Sequence, residues 1–105
     1  MPLLEITEPQ LLQILDETSV DNRQAVLFYT AFCGTCKLGE RMLEIVEATG
    51  KSMPISKINI NYAPQLREKW KIASVPCLVV LEGEEPAMQE YAMRSVDHLY
   101  ALLQA

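Results

Sequence analysis

Ala25-Val26-Leu27-Phe28-Tyr29-Thr30-Ala31-Phe32-Cys33-Gly34-Thr35-Cys36-Lys37 carries two signals in succession. Residues 25–29 form an uninterrupted apolar run without alternation, the pattern of a strand covered on both faces. A short connection then leads to a C-x-x-C made by Cys33 and Cys36. Downstream, Leu38, Met42, Ile45, Val46 and Thr49 recur at helical spacing, and Gly50 supplies a stop. The cysteines therefore fall at the first turn of a helix that leaves a buried strand. Unpaired N–H groups and partial positive charge at that end stabilise a thiolate, which draws the first cysteine toward ionisation near neutrality. Cys36 lies one helical turn further on, within reach for a disulfide, and Gly34 lets the chain turn tightly between them.

Two other readings of the pair stand beside the redox one. Core cysteines would follow the apolar periodicity, yet these two precede the helical stripe. A zinc site wants four ligands, and only Cys77 and His98 remain, isolated and far down the chain; no metal is expected. With three cysteines in all, a closed framework of structural disulfides is excluded.

Working outward, Leu3 to Ile6 reads as a short strand. Thr7, with Gln10 as its capping-box partner and Pro9 in the first turn, opens a helix bearing Leu11, Leu12, Ile14 and Leu15. Ile55 to Ile60 reads as a strand, then Asn61 as a cap for a short helix with Leu66 and Trp70 on one face. Val75-Pro76 opens a strand over Cys77 to Leu81. The acidic turn Glu82 to Pro86 leads into an antiparallel partner over Met88 to Ala92. Ser95 caps a last helix with Val96, Leu99, Tyr100 and Leu103 on one stripe. His98 lies off that stripe and reads as a solvated surface side chain. The order of elements implies an α/β fold with a central mixed sheet of four to five strands flanked by about four helices on both faces.

Composition bounds the function. The 105 residues are 50% apolar and 22% charged, which suits one packed domain spanning 1–105. The net charge of −5 argues against nucleic acid as a partner. The longest apolar runs, such as Leu78 to Leu81, fall far short of the roughly 20 residues needed to cross a bilayer. Met1-Pro2-Leu3-Leu4-Glu5 has no basic region, so no export signal is expected and a soluble, cytoplasmic protein is.

Phe32-Cys33-Gly34-Thr35-Cys36-Lys37 after the apolar strand, followed by Lys57-Ile58-Asn59-Ile60 and Val75-Pro76-Cys77-Leu78-Val79-Val80, closely resembles the thioredoxin family over essentially the whole chain. The resemblance implies the thioredoxin fold and a thiol–disulfide oxidoreductase that reduces protein disulfides. It implies that Cys33 attacks, that Cys36 resolves, and that Pro76 is a cis-proline facing the disulfide; on residues alone, a trans proline at a strand start would serve equally. Substrate is expected against Phe32, Gly34, Thr35, Val75, Pro76, Ala92 and Met93, the last two reading equally well as core filling. No bound cofactor is implied. Electrons would come from NADPH through a flavin-dependent thioredoxin reductase, with disulfide-containing proteins as substrates and a monomer as the working unit. Two other functions stay open: a specialised reductase of low-molecular-weight thiol adducts, and a non-catalytic redox sensor or binding module on the same fold.

Four positions depart from the family pattern. Leu27 stands where thioredoxins usually carry a buried acid, six residues before the first cysteine, which leaves Lys57 without its usual partner. Either Lys57 or a water is then expected to act as base for Cys36, unless the lysine simply extends its amine to solvent. Thr35 replaces the commoner proline, restoring a backbone N–H that can stabilise a Cys33 thiolate. Cys77 occupies a usual threonine position, as a small buried side chain or as an additional redox thiol. Tyr29 and Phe32 stand where tryptophans are frequent.

Overall fold

The central strand of the sheet is β2 (Arg23–Tyr29), and Ala25, Val26, Leu27 and Phe28 along it are completely buried. Alternate side chains feed opposite layers. Val26 and Phe28 join Leu11, Leu15, Leu66 and Trp70 in one core, where Phe28 meets Trp70 edge-on with ring centroids 6.1 Å apart. Ala25 and Leu27 join Leu43, Val46, Leu99 and Leu103 in the other. The computed structural model describes residues 2–105. Around β2 lie β1 (Leu4–Glu5), β3 (Ile55–Asn59), β4 (Cys77–Glu82) and β5 (Glu85–Glu90). Helices α1 (Glu8–Glu17) and α3 (Pro64–Lys69) contribute to the first core, and α2 (Gly34–Ala48) and α4 (Val96–Leu102) to the second.

The sheet order is β1-β3-β2-β4-β5, with β3 parallel to both β1 and β2, and with β4 and β5 antiparallel to their neighbours. This is the expected mixed sheet with helices on both faces. Three of the expected local signals are present as read: the Thr7–Gln10 capping box, the Ser95 cap, and Gly50 in a left-handed conformation just after α2. Among the described residues, no helix is long and apolar enough to cross a membrane.

Other local expectations need correction. Helix α2 buries Cys36, Gly39, Leu43 and Val46 rather than the stripe through Leu38 and Ile45, both of which are exposed. The helix seats with its small residues Cys36 and Gly39 inward, Gly39 against Met93, and leaves Leu38 and Ile45 outward. The β4–β5 turn is only Gly83-Glu84, with Gly83 at φ +63°, and strand pairing resumes at Glu85. Pro86 is accommodated because β5 is an edge strand whose register shifts opposite Val80 and Leu81. Asn59, not Asn61, supplies a cap: its side chain accepts from Asn61 N–H at the 3-10 turn Ile60–Tyr62. Helix α3 has no side-chain cap of its own; the buried Glu8 carboxylate accepts from Leu66 N–H at 2.8 Å instead. His98 is not freely solvated, since its Nε2 is enclosed 3.5 Å from Glu90.

Candidate active site

β2 ends at Tyr29, and the chain turns through Phe32 so that Cys33 becomes the N-cap of α2. An N-cap side chain faces the unpaired amides of the first turn, and the Cys33 sulfur accepts from Cys36 N–H at 3.1 Å. The Thr35 hydroxyl lies 3.4 Å from the same sulfur. Cys33 and Cys36 are joined as a disulfide, their Cα atoms 5.2 Å apart. Cys36 is 1% exposed, whereas Cys33 is only partly covered. One sulfur can therefore meet a substrate and the other cannot. Among the described residues, no group of three or more His, Cys, Asp or Glu side chains could hold a metal ion.

The Val75–Pro76 peptide bond is cis. Pro76, Ala92 and Met93 line a groove of about 290 Å³ with Thr35, closed on the helix side by Leu38 and Met42. Met93 is buried in the α2–α4 core and also lines the groove. Val75 instead borders a second, smaller hollow of about 190 Å³ beside Thr30, Ile60 and Ser74. Phe32 is fully exposed and lines neither hollow, and Gly34 is open to solvent. The expected docking residues thus divide into a groove, a neighbouring hollow and a free aromatic. Leu38, on the predicted apolar stripe, is exposed on the groove instead, whereas Met42 lines the groove and packs against the second core. Arg94, with φ +64°, also lines the groove, a position that apolar periodicity does not reveal.

Lys57 is not left unpartnered, which corrects the expectation from Leu27. In the parallel register of β2 and β3, Lys57 sits opposite Leu27. Its Nζ meets Glu40 Oε2 of α2 at 2.7 Å, with the two side chains 17% and 19% exposed. The ammonium also lies 5.3 Å from the centroid of the Tyr29 ring. Tyr29 in turn donates its hydroxyl to Glu5. Burial pushes the Tyr29 phenol well above its ordinary range, reinforced by the hydrogen bond and charge of Glu5 and by the charge of Glu40. A line of groups from β1, β2, β3 and α2 thus runs through Lys57.

Residues 8–105 match the thioredoxin family model. The chain is 33% identical over 99 residues to the thioredoxin-like protein YusE of Bacillus subtilis strain 168, covering 94% of this chain and 89% of that one. The chain belongs to the thioredoxin family. A thioredoxin of Alicyclobacillus acidocaldarius is 29% identical over 84 residues, which is 79% of this chain and 80% of the relative. Among solved structures, a mutant thioredoxin from Halobacterium salinarum NRC-1 superposes with a TM-score of 0.80 at 20% identity, covering 97% of this chain and 88% of that one. Chloroplastic thioredoxin z superposes with a TM-score of 0.72 at 24% identity, covering 97% of this chain and 91% of that one. Both share the thioredoxin fold.

Thioredoxin-family membership together with the bonded Cys33–Cys36 pair makes this protein a thiol–disulfide oxidoreductase for protein disulfides. Thioredoxins need no bound cofactor of their own, and they work with a reductase and with disulfide-containing substrates. Cys77 follows Pro76 in sequence, but its side chain enters the core formed with Phe28 and Trp70, across the sheet from the core that α2 joins. Burial pushes its thiol up to about 11, with a hydrogen bond from Tyr91 acting in the opposite direction. That setting is unfavourable for a third redox thiol.

Proposed function

We propose that this thioredoxin-family protein reduces protein disulfides with Cys33 as the attacking and Cys36 as the resolving cysteine. The reading is carried by one observation: the more accessible sulfur is the one that caps α2 and accepts the Cys36 amide. The helix N-terminus favours the thiolate of Cys33 when the pair is reduced. That thiolate attacks a substrate disulfide, forms a mixed disulfide and expels the first substrate thiolate. Cys36 then attacks Cys33, expelling the second and closing the Cys33–Cys36 bond.

Substrate lies extended along the groove, against Pro76, Ala92, Met93 and Thr35, with Gly34 giving clearance and Phe32 and Val75 bordering the approach. Lys57 belongs to the proton path behind Cys36. Electrons come from NADPH by way of a flavin-dependent thioredoxin reductase, and the protein works as a cytoplasmic monomer without a metal.

Cys36→Ser tests the order of events. Incubated with disulfide-bearing proteins, it is expected to accumulate mixed disulfides released by dithiothreitol, while Cys33→Ser accumulates none. Equal trapping by both variants would reverse the assignment. Insulin reduction with reductase and NADPH separates this function from the two others: turnover only with a small-thiol system supports the adduct reductase, and no turnover supports the sensor.

A further inference from the structure

Resolution of the mixed disulfide places a demand on a buried atom. Cys36 is 1% exposed, and its thiol must lose a proton before the sulfur can attack. Leu27, fully buried on the sheet beneath α2, has no group to take it. Glu40 lies four residues after Cys36 on α2, one helical turn away on the same side. Long helical side chains run back toward the N-terminus over the preceding turn, which for Glu40 is the turn of Cys36. Its carboxylate is held inward by Lys57 at 2.7 Å instead of extending into water.

We infer that Glu40 is the proton acceptor for Cys36 and that Lys57 positions the Glu40 carboxylate. This rests on the dithiol reading above and deepens it. In the step, the Cys36 thiol proton passes to the Glu40 carboxylate, and the Cys36 electron pair forms the bond to the Cys33 sulfur. The Cys33–substrate bond breaks, and its electron pair leaves on the substrate sulfur. That thiolate takes up a proton, and Glu40 gives its own back to solvent. The dithiol is oxidised by two electrons and the substrate disulfide is reduced by two. The charged and titratable groups facing the carboxylate are Lys57 from β3 and Tyr29 from β2, with Glu5 of β1 behind Tyr29.

The reduced full-length protein is mixed with dithionitrobenzoate, an aromatic disulfide whose halves absorb on release. The first release reports attack by Cys33, and the second reports resolution by Cys36. Glu40→Gln is expected to slow the second release about tenfold or more near neutral pH, the scale of a lost general base, and to keep the first within about twofold. The deficit is expected to narrow steadily as pH rises above the roughly 8.5 of a free thiol, because hydroxide then increasingly takes the proton unaided, even from a buried sulfur. Leu27→Asp in the Glu40→Gln background, which returns a carboxylate to the same layer, is expected to restore the second release near neutral pH.

A second release unchanged in Glu40→Gln overturns the proposal. So does a deficit that stays constant with pH, which would mark a packing role. A large loss in Lys57→Met with none in Glu40→Gln would make the lysine itself the base. Failure of the dithiol reading looks different: the wild-type first release would then be no faster than that of a free thiol.

Discussion

The Thr35 hydroxyl stands 3.4 Å from the Cys33 sulfur, so this position offers a side-chain donor as well as the backbone N–H that proline would remove. Both favour a thiolate, and stabilising the reduced form makes the pair less reducing. Thr35→Val, which loses one donor, is expected to lower the reduction potential by about 30–60 mV on equilibration with glutathione, the size of one charge-assisted hydrogen bond, and Thr35→Pro, which loses both, by more. A rise would refute the account. For Cys77, burial raises the thiol from its ordinary 9.0 to about 11. The folded state holds this proton more tightly than the unfolded chain, so the associated stability is complete below 9.0 and is lost as pH climbs toward about 11. The stability advantage of wild type over Cys77→Ala, read by denaturant titration, is expected to shrink across that window. Titration of the oxidised protein with a thiol reagent near neutral pH should find one thiol, and that only after denaturant is added. The cysteines and Thr35 were legible in the sequence because helix-end chemistry depends on neighbours a few positions apart. Lys57 stood out there as a candidate base, but Glu40 and its contact with Lys57 did not. Their contact joins residues 17 apart on α2 and β3, and exists only because α2 seats with Cys36 and Gly39 inward.

Helix α2 is the element that links packing to the site. A Cβ built on Gly39 would come within 2.8 Å of Met93 Cγ, and Met93 lines the groove beside Pro76. In an open helix, Gly→Ala would gain about 1 kcal/mol from propensity. Here the overpacking cost of about 1–3 kcal/mol is expected to outweigh that gain, because the clash falls on Met93 Cγ, in the middle of the side chain rather than at its flexible end. Gly39→Ala is expected to lower the denaturant midpoint and to weaken trapping on a Cys36→Ser background. Adding Met93→Ala should recover part of the stability, a coupling that independent sites would lack. Helices and strands were legible through the Thr7–Gln10 box, the Ser95 cap and the apolar run of β2. The orientation of α2 was misjudged because periodicity weighs residue size, and the glycine that seats the helix adds nothing to an apolar stripe. The Glu8 cap on α3 escaped for another reason: its donor is 58 residues away, and no local pattern joins a first-turn acid to another helix.

Across the whole molecule, one sheet separates two cores, and β2 and β4 supply fully buried side chains to both. Disrupting either side therefore disturbs the strands that carry the other. Leu78→Ala, in the core away from Trp70, is expected to cost about 2–5 kcal/mol. The unfolding midpoint followed by Trp70 fluorescence should fall together with that followed by far-UV circular dichroism. Separated transitions would mean that the two cores melt independently. The order of strands and helices was legible because each element announces its own type, and the family resemblance supplied their arrangement. The register shift in β5 was not, since it reflects how an edge fits its neighbour. That outermost strand has a further consequence. Its free margin bears Glu85, Pro86 and Glu90, and the opposite margin of the sheet is a strand of only two residues. Neither border offers a long, flat ribbon on which another chain could stack, so concentrated solutions are protected against fibre growth by the shape of the sheet's rims as well as by its charge.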